Sequence, residues 1–304
     1  MLQIGYNQNK REKGVAMRIG LFANPDKDPD YAVTRQTAAF IRQAGSTAII
    51  GKNDQSESLL AAVPDATIGS YADCDCIMSL GGDGTFLSAV HLPYNNEIPI
   101  IGVNLGSVGF LPEIQPAELP RAITQLISGQ FTLEERMMLY ASCYDPDGQL
   151  METGHALNDA VVSRGGHSRI VNLELSINHD RVGRIPGDGL IVSTPTGSTA
   201  YSLSSGGPIL HPELMLILIT PICPHTLHNR SYLASAESRI RITVCDYPYQ
   251  AVLAIDGRKE INLDSGSFVE IERSERNLKM IRLGPDHFYA TLPQKIHARG
   301  RTEP

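Results

Sequence analysis

The sequence predicts an α/β N-terminal domain built on a parallel sheet, followed by an all-β C-terminal sandwich domain. Three observations carry this. Over residues 17–136 strand signals alternate with helix signals, the rhythm of parallel strands joined by crossover helices. Over residues 137–284 short β-type runs follow one another with turn residues between them, as in an antiparallel sandwich or barrel. A chain of 304 residues also suffices for about two domains, each with a full core.

The elements follow in order. Arg18–Ala23 reads as a buried strand. Asp28-Pro29-Asp30 opens a helix over Tyr31–Gln43, with Gly45 as its stop. Thr47–Ile50 is a short strand. Cys76–Leu80 is another, ending in Gly81-Gly82, and a helix over Thr85–Leu92 starts directly after it. Pro99–Val103 leads into a second glycine-rich loop, and a helix over Ala117–Ser128 stops at Gly129. The β runs of the second domain are Leu139–Tyr144, Ala156–Arg164, Ile170–Ile177, Leu190–Ser193, Leu214–Ile219, Ile240–Val244, Ala251–Ile255 and Ser267–Glu272. Asp147-Gly148, Asn178-His179-Asp180 and Asp256-Gly257 supply turns between them. Only Ser198–Ser204 reads as helix there. Residues 285–304 are expected to pack back on the first domain. Residues 1–16 are polar and unpatterned and read as a disordered extension. Lys13-Gly14-Val15 can be encoded with a bacterial ribosome-binding sequence just upstream of Met17, so the start at Met17 and a genuine tail both stand as readings.

Composition excludes several classes. Hydrophobic residues at 42% and charged residues at 19% exclude a disordered chain. The formal charge, 26 − 33 = −7, gives no global attraction for nucleic acid or an anionic membrane. An anionic substrate would need local backbone dipoles, a few Lys or Arg, or a metal to offset that field. The longest apolar run, Leu214–Ile219, is far short of the roughly 20 residues that cross a bilayer. The N-terminus lacks the apolar segment of a secretory signal. Five sparse cysteines suit a reducing, cytoplasmic setting, and Cys74-Asp75-Cys76 has the wrong spacing for a zinc knuckle.

Chemistry concentrates in four places. Gly81-Gly82-Asp83-Gly84-Thr85 lies between a buried strand and a helix, where open parallel sheets bind ligands. Its glycines admit an anion and the helix start presents free N–H groups. An acid there would repel phosphate, so Asp83 either binds a divalent cation, accepts a proton from a hydroxyl nucleophile, or caps the helix. A second glycine-rich loop runs from Gly102 to Phe110. Asn158-Asp159 pairs an amide with a carboxylate at the head of an apolar run; an exposed turn pair is the alternative. Gly187 to Ser202 is the densest signal: a strand delivers Thr194-Pro195-Thr196-Gly197-Ser198-Thr199, more hydroxyls than helix capping needs.

Taken together, Gly-Gly-Asp-Gly-Thr, Asn158-Asp159 and Asp188 through Ile209 resemble the NAD kinase family over roughly residues 17–290. Gly106–Phe110, Pro221-Ile222-Cys223-Pro224-His225 and Ile255-Asp256-Gly257 fall in the matching order. The threonine-serine block is highly specific, whereas Gly-Gly-Asp-Gly-Thr alone is shared with lipid kinases and 6-phosphofructokinases. The resemblance implies a Rossmann-like α/β domain plus a β-sandwich, and transfer of phosphate from ATP or polyphosphate to the adenosine-ribose 2′-hydroxyl of NAD, with Mg²⁺ or another divalent metal. It implies hydroxyl activation by Asp83 and phosphate or nucleotide contacts from Gly82, Gly84, Thr85 and Phe110. Asn158 and Asp159 match the pair that holds the adenosine, with Asp159 where Glu is commoner. Asp188, Thr196, Thr199, Ala200, Tyr201 and Ser204 match positions lining the NAD site between neighbouring subunits of a homodimer or homotetramer. No metal ligand and no role for His225 follow. A lipid kinase of the same superfamily and a non-catalytic nucleotide sensor remain the other readings.

Overall fold

A computed structural model of the chain describes residues 16–52, 56–92, 98–106, 109–226, 230–285 and 288–300. The reading of residues 1–16 as an extension therefore falls outside them, apart from Ala16. The described residues divide into two compact units, one running through Glu135 and resuming at Leu278, the other Arg136–Asn277.

The first unit carries β1 (Arg18–Ala23), β2 (Thr47–Gly51), β3 (Ala66–Gly69), β4 (Cys76–Gly81) and β5 (Ile100–Asn104). All pair in parallel, in the spatial order β5-β4-β1-β2-β3. The chain winds outward from β1 through β3, then restarts on the other side of β1. The topological switch point therefore lies between β1 and β4, where open α/β sheets place their ligands. β4 is buried along its whole length, which is why its sequence shows no polar alternation. Ile19, Leu21, Met78, Leu80 and Ile101 form the centre of this core.

Local chemistry fixes the helices. The Ala32–Gln43 helix starts where the Asp28 carboxylate accepts the N–H groups of Val33 and Thr34 at 2.9 Å each. Asp83–Val90 follows β4 directly. Leu119–Ser128 ends at Gly129, whose left-handed φ of 65° favours glycine. The last strand, Phe268–Arg282, returns the chain to this unit, pairing Met280 with Ile100 in parallel. There Arg282 lies between Glu113 and Glu134, with N···O distances of 3.0 and 2.5 Å. β3, the Ser56–Ala62 helix and the Phe288–Gly300 helix are additions to the sequence reading.

The second unit is all antiparallel. Its strands are β6 (Thr132–Tyr144, from Arg136 onward), β7 (Leu150–Ala156), β8 (Asp159–Ser163), β9 (Val171–Ile177), β10 (Asp180–Gly187), β11 (Gly189–Ser193), β12 (Leu216–Ile222), β13 (Tyr232–Ser235), β14 (Ile240–Cys245), β15 (Ala251–Ile255), β16 (Lys259–Leu263) and the first part of β17 (Phe268–Arg282). One sheet runs β10-β9-β14-β17, with β6 pairing β17 and β7; the other runs β13-β12-β11-β8-β15-β16. Leu139, Leu173, Leu175 and Ile242 from the first share one apolar core with Val162, Leu190, Val192, Ile219 and Leu253 from the second. This is the sandwich the sequence predicts. The expected Ser198–Ser204 helix is instead two pieces, a 3₁₀ turn over Thr196–Thr199 and a single turn over Tyr201–Ser204. Ala200, at φ −97° and ψ −125°, lies outside helical geometry and separates the two pieces.

Candidate functional site

At the switch point of the first unit, Gly82 is the N-cap of the Asp83–Val90 helix and Asp83 its first residue. The capping alternative for Asp83 therefore fails. Its carboxylate turns toward the second glycine-rich loop instead: Oδ1 accepts the N–H groups of Phe110 and Leu111 at 3.0 Å each, and Oδ2 lies 3.2 Å from the Phe110 nitrogen. A Cβ on Gly109 would sit 2.3 Å from Asp83 Oδ1, so only glycine leaves room for this contact. Cβ atoms on Gly82 or Gly84 would meet nothing within 4 Å, which leaves that backbone open to a ligand. Thr85 differs from its neighbours. Its buried hydroxyl accepts Asn24 Nδ2 at 3.2 Å and packs over Gly81. The Phe110 ring lies 5.5 Å from Lys295 Nζ.

In the second unit, Asn158 and Asp159 sit where β8 begins. The Asp256 carboxylate gathers the chain there, accepting the N–H groups of Leu157 and Asn158 at 2.8 Å and of Asp159 at 3.1 Å. Thr194 closes the loop opposite: its hydroxyl donates to the Leu157 carbonyl at 2.6 Å while its N–H donates to the Asn158 carbonyl at 2.9 Å. Gly197 packs so closely on Asn158 that a Cβ would lie 2.1 Å from its carbonyl oxygen. The result is a rigid backbone from which two side chains project without protein partners among the described residues: the Asn158 amide and the Asp159 carboxyl. Asp159 is only 5% exposed. Burial, reinforced by the neighbouring Asp256 charge, pushes its carboxyl up to about 7.

The threonine-serine block behaves otherwise than its density suggests. Ser193, Thr194, Ser198, Thr199 and Ser202 are buried and bonded within the protein, to the Thr194, Leu157, Leu210 and Thr196 carbonyls and the Thr220 hydroxyl respectively. A tightly wound loop leaves backbone groups that these hydroxyls satisfy. Thr196 accepts Arg136 Nη1 at 3.2 Å. Ala200, Tyr201 and Ser204 are the predicted residues that reach the surface. Asp188 is held by Arg164 Nε at 2.8 Å, and His225 is exposed, its N–H bonded to the Pro186 carbonyl.

Arg136 and Arg164 thus shape the site without a sequence signal, and Thr194, read only as part of the hydroxyl-rich block, and Asp256 shape it in roles the sequence did not assign. Asp256 carried a signal, since Asp-Gly after an apolar run marked it, but as a turn. Among the described residues no three His, Cys, Asp or Glu side chains gather into a metal cage, and no helix is long and apolar enough to cross a membrane.

Comparison with known proteins agrees with this layout. Residues 19–131 match the ATP-NAD kinase N-terminal domain and residues 157–283 the ATP-NAD kinase C-terminal domain. The NAD kinase of Ruminiclostridium cellulolyticum is 39% identical over 283 residues, covering 93% of this chain and 98% of its own. That of Acetivibrio thermocellus is 38% identical over 94% of this chain and 99% of its own. Among solved structures, the yeast NADH kinase complexed with NADH superposes with a TM-score of 0.85 at 24% identity, covering 95% of this chain and 89% of its own, and supports the fold. An Archaeoglobus fulgidus NAD kinase in complex with ATP gives a TM-score of 0.72 at 25% identity, over 93% and 99%. Two matched domains over residues 19–131 and 157–283, with relatives 38–39% identical over more than nine-tenths of the chain, lead to one conclusion: the chain belongs to the NAD kinase family of phosphotransferases.

Proposed function

We propose that this chain transfers the γ-phosphate of ATP, or a terminal phosphate of polyphosphate, to the 2′-hydroxyl of the adenosine ribose of NAD, giving NADP. The observation that carries the reading is the Asp159 carboxyl, buried and beside the Asn158 amide, both without a side-chain partner among the described residues. The ribose 3′-hydroxyl can donate to such a carboxylate while the 2′-hydroxyl keeps its proton for transfer, and an adenine edge pairs with an amide. Asp83 is the proton acceptor: as the ribose oxygen forms its bond to phosphorus and the bond to the leaving diphosphate breaks, the hydroxyl proton passes to the Asp83 carboxylate. The N–H groups of Phe110 and Leu111 hold that carboxylate in one orientation.

A single acid in the loop fits a divalent cation of the Mg²⁺ type, which takes one or two carboxylates and otherwise rides on substrate phosphates. Asp83 would hold it. When bound, such a cation neutralises charge on the transferred group. A homodimer or homotetramer that shares the NAD site is part of the proposal, and the exposure of Tyr201, at 46%, supports it by leaving that ring open to a second copy.

The test is direct. Incubation with Mg²⁺-ATP and NAD, followed by an NADP-specific dehydrogenase, should detect NADP. Its absence with both ATP and polyphosphate would contradict the reading and leave a nucleotide-binding protein without turnover.

A further inference from the structure

An acidic chain that handles a polyphosphate needs local positive charge, and the switch point holds a cation with no assigned task. Asn24-Pro25-Asp26-Lys27-Asp28 leaves the carboxyl end of β1, beside the loop that follows β4. It is a fixed loop. The N–H groups of Lys27 and Asp28 both donate to the Asn24 carbonyl, at 3.1 and 3.0 Å, and the Asn24 side-chain oxygen takes the Asp26 N–H at 2.9 Å. Both ends are anchored as well. Asn24 is bonded to the phosphate-type loop through its N–H to the Leu80 carbonyl and its Nδ2 to the Thr85 hydroxyl. Asp28 is committed to Val33 and Thr34.

Lys27 projects from this frame. Its Cδ lies 3.9 Å from where a Gly106 Cβ would be, so the aliphatic stem comes within van der Waals reach of the loop after β5. That loop is itself joined to β4 by the Leu105 N–H to the Gly81 carbonyl at 3.1 Å. Among the described residues the Lys27 ammonium makes no ion pair or hydrogen bond. Lys295, the other lysine at this loop, is already turned to the Phe110 carbonyl at 3.4 Å.

We infer that Lys27 binds the phosphates of the donor, resting on the kinase reading above. Three loops from the adjacent strands β1, β4 and β5 meet at the switch point, and Lys27 is carried by one of them and lies within reach of another. The stem lies near Gly106, and the exposed ammonium is available to pair with an anion bound at these loops. The exposed neighbour Asp26 has its N–H locked in the turn and contributes repulsion, so it is Lys27 that supplies attraction.

Calorimetric titration of the full chain and its Lys27→Met and Lys27→Arg variants with Mg²⁺-ATP, inorganic triphosphate and NAD tests this. Lys27→Met keeps the stem and removes the charge. It should bind ATP and triphosphate about tenfold more weakly, the loss of one charge-assisted contact, and NAD within about twofold of the parent. Lys27→Arg should recover most of the affinity. Unchanged ATP and triphosphate binding by Lys27→Met, with NADP formation intact, overturns the Lys27 assignment and leaves the kinase reading standing. A parent chain that forms no NADP overturns the kinase reading, and the assignment with it.

Discussion

Asp256 holds Asp159 at both backbone groups: its carboxylate accepts the Asp159 N–H at 3.1 Å, and its own N–H donates to the Asp159 carbonyl at 2.9 Å. Two carboxyl groups are thereby fixed near each other in a buried place. One is fully used, since Asp256 also takes the N–H groups of Leu157 and Asn158. The other has no protein donor among the described residues, and the effect of burial and like charge falls on it.

Affinity for NAD should therefore depend on pH. With the Asp159 carboxyl raised to about 7, it is protonated below that pH and ionised above it. A ribose hydroxyl donates to the ionised form. The apparent KM for NAD should fall about tenfold as pH rises from 6 to 8, following the ionised fraction. Steady-state profiles of the parent and of Asp159→Asn test this; the variant should lose the step centred near 7, and a step that persists in it belongs to another group.

The same group sets a stability expectation with the opposite sense. A carboxyl whose folded-state pKa is raised stabilises the fold below its unfolded value near 4, and that contribution is lost as pH rises through about 7. Asp159→Asn should raise the stability of the ligand-free protein at pH 8, on the order of 2–4 kcal/mol, or several degrees of melting temperature, while weakening NAD binding. Thermal melts at pH 4 and pH 8 check the sign. A variant less stable than the parent at pH 8 contradicts it.

Asp256→Asn should be damaging although Asn tolerates the left-handed φ of 48° at this position. One amide oxygen can serve Asn158 and Asp159, but the amide NH₂ then faces the Leu157 N–H, donor against donor. A loss of about 2–3 kcal/mol in denaturant unfolding is expected. Removing the neighbouring charge should also move the midpoint of the NAD pH profile downward. A midpoint that stays in place would show that Asp256 does not act on Asp159.

Thr194 offers a paired test. Its hydroxyl donates to the Leu157 carbonyl and accepts the Gly197 N–H from a fully buried position. Thr194→Val keeps the shape and leaves both backbone groups unsatisfied, for a loss of about 1–3 kcal/mol and a raised KM for NAD. Thr194→Ser should restore most of both. Equal behaviour of the two variants would assign Thr194 to packing alone.

Much of the frame was legible because its signals are local. The continuous apolar run of β4, the glycine stop at Gly129 and the acid in the phosphate-type loop are each readable within a few residues. Polar strands were not: β10 and β16 expose most of their side chains, so their sequences look like loops. Asp256 was read as a turn, and with Gly257 at φ 64° it is one. Its bonds to Leu157, 99 residues earlier, have no sequence signal at all. The hydroxyl-rich loop gains a structural role that its sequence does not show. Ser193, Ser198 and Ser202, and with them Thr199, satisfy buried groups of the fold. Lys27, an exposed lysine in a short loop, becomes noticeable only once β1, β4 and β5 stand side by side.

The measurement that tests the central claim most directly is single-turnover phosphoryl transfer by Asp83→Asn, beside calorimetric binding of ATP and of NAD. Asn keeps an oxygen where Oδ1 accepts Phe110 and Leu111, and removes the proton acceptor. The rate should fall about 10²–10⁴-fold, the range for loss of a general base, with NAD affinity unchanged because Asn158 and Asp159 are intact. Near-parental turnover in a variant that binds both substrates would contradict the role given to Asp83.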